Sequence, residues 1–274
     1  VRKLGIFAHG EEKVSVHRDE PVFDGQFSNR CYQSAVRQAF HNFREKAERS
    51  GRYDPETDER FTEQWSRIIM HLPYAYQAKR MFPDVFRHDR EDTEFWEEVA
   101  ENLGPAPEPH NSDDPVIIEI WEKAMDGYRR AISKTPQYLE FHASRIEKGQ
   151  RASSLIGNQY TGSIFLALMS SFESDLEEND NLDNQLLGLC GYGSGAKAKV
   201  FEGKVSPRWR EVVSRWNLFE RLAGRVAIDH VTYENLHKGL QNGSVVEPEG
   251  EFALVEITES GVQEGARRYK WIGA

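Results

Sequence analysis

Short segments of this chain place a polar group where an apolar run ends. They are Met70-His71-Leu72-Pro73-Tyr74, Leu155-Ile156-Gly157-Asn158-Gln159-Tyr160-Thr161-Gly162-Ser163 and Gly191-Tyr192-Gly193-Ser194-Gly195. A histidine in such a place can be a general acid, an oxyanion donor or a structural residue. An asparagine can orient an acyl group or simply form a turn. A glycine-rich corner can present backbone N–H groups to a developing oxyanion, or it can be an ordinary hairpin. Together these groups make up half of an acyl-transfer site. The other half, a cysteine nucleophile with its base, is not visible.

Competing chemistries fail on spacing. His71-Leu72-Pro73-Tyr74 lacks the paired ligands of a zinc-binding helix. The run 191–195 has the wrong spacing for a dinucleotide fingerprint and lacks the Gly-Lys-Ser/Thr ending of a phosphate loop. No Gly-x-Ser-x-Gly elbow is present, which argues against a serine hydrolase. Cys190 lies inside an apolar run, with no cation or helix start beside it in sequence to stabilise a thiolate. Cys31 falls on the apolar face of a predicted helix and reads as a small core hydrophobe.

Elements must position these groups. Ser28 is the expected N-cap of a helix running to Ser50, with Cys31, Tyr32, Ala35, Val36, Ala39, Phe40 and Phe43 as its apolar stripe and Gly51 as its stop. Ile68-Ile69-Met70 reads as a buried strand delivering His71, and Ala75 to Phe82 as a helix. Residues 84–114 are acidic, with Pro105, Pro107 and Pro109, and read as an exposed insertion with a helix near Glu94–Asn102. Ile117 through Lys148 reads as mainly helical, with Ile120, Trp121, Ala124, Tyr128 and Ile132 on one side. A strand over Ser154–Ile156 leads to Asn158, and a helix follows from Gly162 to Phe172. Leu186–Cys190 and Ala196–Phe201 read as strands around the glycine turn. A helix is expected from Pro207 to Leu222 and another over Thr232–Leu240, then two strands at Phe252–Ile257 and Arg268–Ile272. Helices alternate with strands, so the class is α/β.

Composition sets the limits. Hydrophobic residues make up 38% of the 274, enough for a sizeable core. A formal charge of −10 and the lack of a basic stripe argue against a nucleic-acid grip but leave an anionic substrate open. Two cysteines rule out a disulfide framework. No apolar run approaches a membrane span and no signal pattern opens the chain, so the expectation is a soluble, cytoplasmic protein. The chain opens on Val1 and runs at once into Leu4-Gly5-Ile6-Phe7-Ala8, which reads as a piece of something longer.

The motifs, together with Pro21-Val22-Phe23-Asp24-Gly25-Gln26-Phe27-Ser28-Asn29-Arg30-Cys31-Tyr32, stand in the order seen in hydroxymethylglutaryl-CoA synthases, and the closing Tyr269-Lys270-Trp271-Ile272 resembles a bacterial branch of that family. The resemblance covers nearly the whole chain, taken as one C-terminal domain, 1–274. It implies a thiolase-like fold and an acyltransferase condensing acetyl-CoA with acetoacetyl-CoA, the step that feeds the mevalonate route to isoprenoids. It implies CoA thioesters as substrates, no separate cofactor, no metal and a homodimer. In the family a cysteine takes the acetyl group and a glutamate removes its methyl proton, and both belong to an N-terminal half that this chain lacks. That half would have to be supplied in cis or in trans.

By the same resemblance His71 holds the acetoacetyl carbonyl and acts as general acid toward the alkoxide. Asn158 orients the acyl group, Tyr160 lines the pocket, and the Ser194 N–H, beside Gly193, stabilises the tetrahedral oxyanion. Where many relatives carry a phosphate-binding lysine this chain has Tyr76, so Lys79 and Arg80, one turn later, are the expected substitutes. Two alternatives stand beside this reading: a β-branching synthase acting on carrier-protein-bound substrates, and an inactive scaffold or subunit completed by a partner chain.

Overall fold

The computed structural model describes residues 24–56, 59–108, 110–193 and 195–273. Leu4–Ala8, Pro109, Ser194 and the first residues of the opening motif lie outside the described residues. The chain divides into two compact units, one up to Glu220 and one from Arg221.

The first element among the described residues is α1, Gly25–Arg49. Asp24 caps it, its carboxylate accepting from the N–H groups of Gln26 and Phe27 at 3.0 Å each. Ser28 is therefore inside the helix and not its cap, because an aspartate one turn earlier meets two free N–H groups at the positive helix end. Gly51, at φ 69°, ends the helix as expected. Tyr32, Val36, Phe40 and Ala47 form its buried face.

A three-stranded sheet carries the site, in the order β1 (Arg67–Met70), β2 (Leu186–Gly193), β3 (Lys197–Lys204). β1 runs parallel to β2, and β3 returns antiparallel. Ile68 and Ile69 point to opposite faces yet are each 1% exposed, so both faces of the sheet are covered there. Helix α1 packs on β2 and β3, while α6, α7 and α8 reach β1. Trp65 is fully buried among Phe40, Phe43 and Phe61. Its indole N–H donates to Glu202 on β3 at 2.7 Å.

After β1 come α2 (Gln77–Met81), α3 (Pro83–His88) and α4 (Glu94–Glu101), then α5 (Pro115–Ile132), α6 (Pro136–Arg145), α7 (Glu147–Ile156) and α8 (Ser163–Glu177). The acidic stretch is not an exposed excursion in its first half. Asp84, Val85, Phe86, Asp89, Arg90, Trp96 and Val99 are all buried. Its two buried acids each have a partner: Asp84 accepts from Arg129 at 2.9 Å, and Asp89 from the Thr62 hydroxyl at 2.6 Å. Acidic composition is thus a poor guide to exposure where each carboxylate has a partner.

Ile120 also departs from expectation. It is 64% exposed, while α5 buries Tyr128 and Ile132 as expected and Met125 besides. Ser154–Ile156 is the last turn of α7 and not a strand. A three-residue apolar run does not distinguish strand from helix end. Tertiary packing decides here, since α7 lies along α8.

Arg67 at the start of β1 and Lys148 on α7 both bond the fully buried Asp175 of α8, at 2.6 and 2.7 Å. This ion cluster clamps together the elements that bear His71 and Ser163. Beyond β3, the helix expected from Pro207 to Leu222 is split into α9 (Trp209–Val213) and α10 (Leu218–Ala223), interrupted at Asn217 with φ 53°.

The second unit contains α11 (His230–His237), capped by Asp229, and the antiparallel pair β4 (Glu251–Ile257) and β5 (Arg267–Ile272). Among the described residues no helix is long and apolar enough to cross a membrane.

Candidate active site

β1 carries His71 to the edge of the core. The His71 N–H continues the parallel ladder to the Cys190 carbonyl at 2.9 Å, and Pro73 then ends the strand. The residue is 9% exposed. The Tyr32 hydroxyl donates to the His71 carbonyl at 2.9 Å. The Tyr192 ring lies 4.6 Å from that of Tyr32 and 6.1 Å from the imidazole. The Ser163 hydroxyl, at the start of α8, lies 2.6 Å from His71 Nδ1 and accepts from the Leu72 N–H at 3.1 Å. Each of the four sequence motifs therefore contributes a side chain to one cluster around His71.

Asn158 stands in the loop that ends at Ser163. Its Oδ1 accepts from the Tyr160 N–H at 2.7 Å, so the turn-forming role is real. The side chain is exposed, and its NH2 group makes no hydrogen bond among the described residues. Tyr160 is 77% exposed and adopts φ 49°. Gly193 ends β2 opposite Lys197, and Gly195 and Ala196 at φ 91° and 50° turn the chain into β3. The glycine-rich run is thus a tight hairpin, a geometry that leaves backbone N–H groups outside the ladder. The Ser194 N–H itself lies outside the described residues.

Lys79 and Arg80 are separated. Lys79 lines a cavity of about 760 Å3 with Tyr76, Lys148, Glu147, Glu177 and Glu178, where acids offset bases. Arg80 lines a cleft of about 300 Å3 with Arg30, Lys123, Arg129 and Arg130, opposed by Asp126. Adjacent positions on a helix diverge by about 100°, so one turn cannot aim both at one ligand.

Cys190 is fully buried, and burial pushes its thiol up to about 12. A thiolate there would sit uncompensated in an apolar strand, so it is not a nucleophile at neutral pH. Cys31 is half-buried on α1. Iodoacetamide applied to the folded chain at neutral pH is expected to leave Cys190 unmodified. Rapid native-state labelling of the Cys190 peptide, read by mass, would contradict this.

Tyr32, Ser163 and Tyr192 stand within the sequence motifs, but their local sequence gives them no role around His71. A serine opening an apolar helix is a weak signal. Nothing local links it to a histidine 92 positions earlier.

A family description, hydroxymethylglutaryl-coenzyme A synthase C terminal, matches residues 13–243. The hydroxymethylglutaryl-CoA synthase of Haloferax volcanii is 27% identical over 240 residues, covering 85% of this chain and 51% of that protein. The Saccharomyces cerevisiae hydroxymethylglutaryl-CoA synthase is 23% identical over 249 residues, covering 88% and 47%. Among solved structures, MvaS in complex with 3-hydroxy-3-methylglutaryl coenzyme A aligns at TM-score 0.65 and 27% identity, over 94% of this chain and 53% of that one. The HMG synthase of the curacin biosynthetic pathway, in complex with holo donor-ACP, aligns at TM-score 0.59 and 16% identity over 96% and 55%, a likeness of fold alone. The fold is thus the thiolase-like one of these synthases. The chain spans about half the length of the curated relatives it matches.

Proposed function

The chain belongs to the hydroxymethylglutaryl-CoA synthase C-terminal family, and from that premise we propose that it supplies the acceptor side of a site condensing acetyl-CoA with acetoacetyl-CoA. The observation that carries this reading is the convergence of four motif segments on His71, with Ser163 at 2.6 Å from its ring. An enolate carbon formed on the other half attacks the ketone carbon, and the carbonyl π electrons move to oxygen. His71 meets that oxygen. Asn158 orients the acyl group through its unengaged NH2, and Tyr160 borders the pocket. The Ser194 N–H, beside Gly193, serves the oxyanion of the acyl-enzyme.

Of the two candidate phosphate contacts, the cleft chemistry favours Arg80. Its neighbours are mostly cations, whereas around Lys79 the cations Lys148 and Arg151 are balanced by Glu147, Glu177 and Glu178. Buried Cys190 does not supply the nucleophile, and the family resemblance places it in the remaining half, which completes the site in cis or in trans. The exposure of Tyr76, Leu155, Tyr160 and Phe165 supports this, because these apolar groups are the kind of surface another protein layer covers.

The test is condensation by this chain combined with the nucleophile-bearing half, using free acetoacetyl-CoA and then a carrier-bound acceptor. Turnover of the free thioester is expected. Preference for the carrier-bound acceptor would move the chain to the β-branching class, and no turnover with either would leave the scaffold reading. Arg80→Ala is expected to raise KM for the CoA ester by about tenfold, the loss of one charge-assisted bond, against little change for Lys79→Ala. The reverse ranking would reassign the phosphate contact.

A further inference from the structure

We infer that Ser163 holds His71 as a neutral imidazole with its proton on Nε2, so that the ring meets the acceptor oxygen as a fixed hydrogen-bond donor. The inference rests on the reading of His71 as the group that faces the acceptor carbonyl.

Ser163 is fully buried, and its hydroxyl has two contacts: it accepts from the Leu72 N–H at 3.1 Å and lies 2.6 Å from His71 Nδ1. A hydroxyl carries one proton and two lone pairs. Leu72 occupies one lone pair. If Nδ1 carried a proton, it would fill the second, and the hydroxyl proton would have no acceptor among the described residues. Buried donors are rarely left in that state. If Nδ1 is bare, the hydroxyl proton points at it and every group is satisfied. The ring proton is then on Nε2.

A second observation points the same way. Ser163 is the first residue of α8, so the imidazole abuts the positive end of a 15-residue helix with no acidic residue in its first turn. That field opposes an imidazolium. Burial keeps the phenols of Tyr32 and Tyr192 protonated, Tyr192 being pushed up to about 12.

The consequence concerns the bond-forming step. As the carbon–carbon bond forms and the carbonyl electron pair moves to oxygen, the Nε2–H bond to that oxygen tightens. The ring thereby stabilises the developing alkoxide as an already oriented hydrogen-bond donor. Ser163 is thus a positioning residue, acting through the ring it orients.

The experiment is a long-range proton–nitrogen correlation spectrum of the chain labelled with 15N-histidine at neutral pH. His71→Gln identifies the ring among the nine histidines. The expected result is a pyridine-type shift for Nδ1 and a pyrrole-type shift for Nε2. A pyrrole-type Nδ1, alone or with Nε2, would overturn the inference. Ser163→Ala is expected to mix the tautomers and Ser163→Thr to restore the single form. An unmixed spectrum in folded Ser163→Ala would remove Ser163 from the role. Because the spectrum needs no activity, its outcome is independent of whether His71 serves condensation. The wild-type spectrum decides the tautomer even if a variant fails to fold.

Discussion

His71→Ala, in the chain combined with its nucleophile-bearing half, is expected to lower condensation by about 10²–10³-fold, the usual effect of losing one donor aimed at a developing oxyanion. Acetylation of the cysteine by acetyl-CoA is expected to continue, because that step precedes entry of the acceptor. The two readings are separate: product formation by assay, and the acetyl mass increment on the cysteine peptide. Normal condensation by the variant would remove His71 from the site. Loss of both steps would mean that the substitution damages the fold. That second outcome is guarded against by the backbone, since the Tyr32 hydroxyl and the β2 ladder both bind His71 through main-chain atoms that alanine keeps.

Gly188→Ala is expected to have the largest effect on stability, about 3 kcal/mol lost, at the upper end of ordinary overpacking. A Cβ at Gly188 would lie 2.2–2.7 Å from three atoms of the Trp65 ring. The indole cannot yield. It is fully buried, flanked by three phenylalanine rings, and tied by its N–H to Glu202. Gly188 also pairs with Ile68, so the displaced strand is the one against which β1 holds His71. Gly191→Ala on the same strand is the control, because its Cβ would meet only the Lys199 carbonyl at 3.9 Å. Urea unfolding should show a much lower midpoint for Gly188→Ala and a small change for Gly191→Ala. Equal midpoints for the two would show that Trp65 repacks.

Element types were legible where a pattern was strong and local. The α1 stripe, the β1 run ending at His71 and the strand–turn–strand around Gly193 and Gly195 are present as their spacing requires. Hydrophobic periodicity and glycine conformation act within a few residues, and so they are written in consecutive sequence. The motifs around His71, Asn158 and Ser194 likewise carried the family resemblance, since order along the chain is itself a sequence property.

Tertiary structure alone decided which faces are covered and which groups meet. Asp84 and Asp89 look solvated in sequence but are buried against Arg129 and Thr62, and Ile120 looks like core but lies in water. Ser154–Ile156 joined a helix that packs along α8. Lys79 and Arg80, neighbours in sequence, face different clefts. Ser163 reached Nδ1 of a histidine 92 positions away because the ion cluster at Asp175 clamps α8 to β1. Burial, charge pairing and the position of a ring proton depend on contacts between distant segments. No local pattern encodes those contacts, and the packed core creates them.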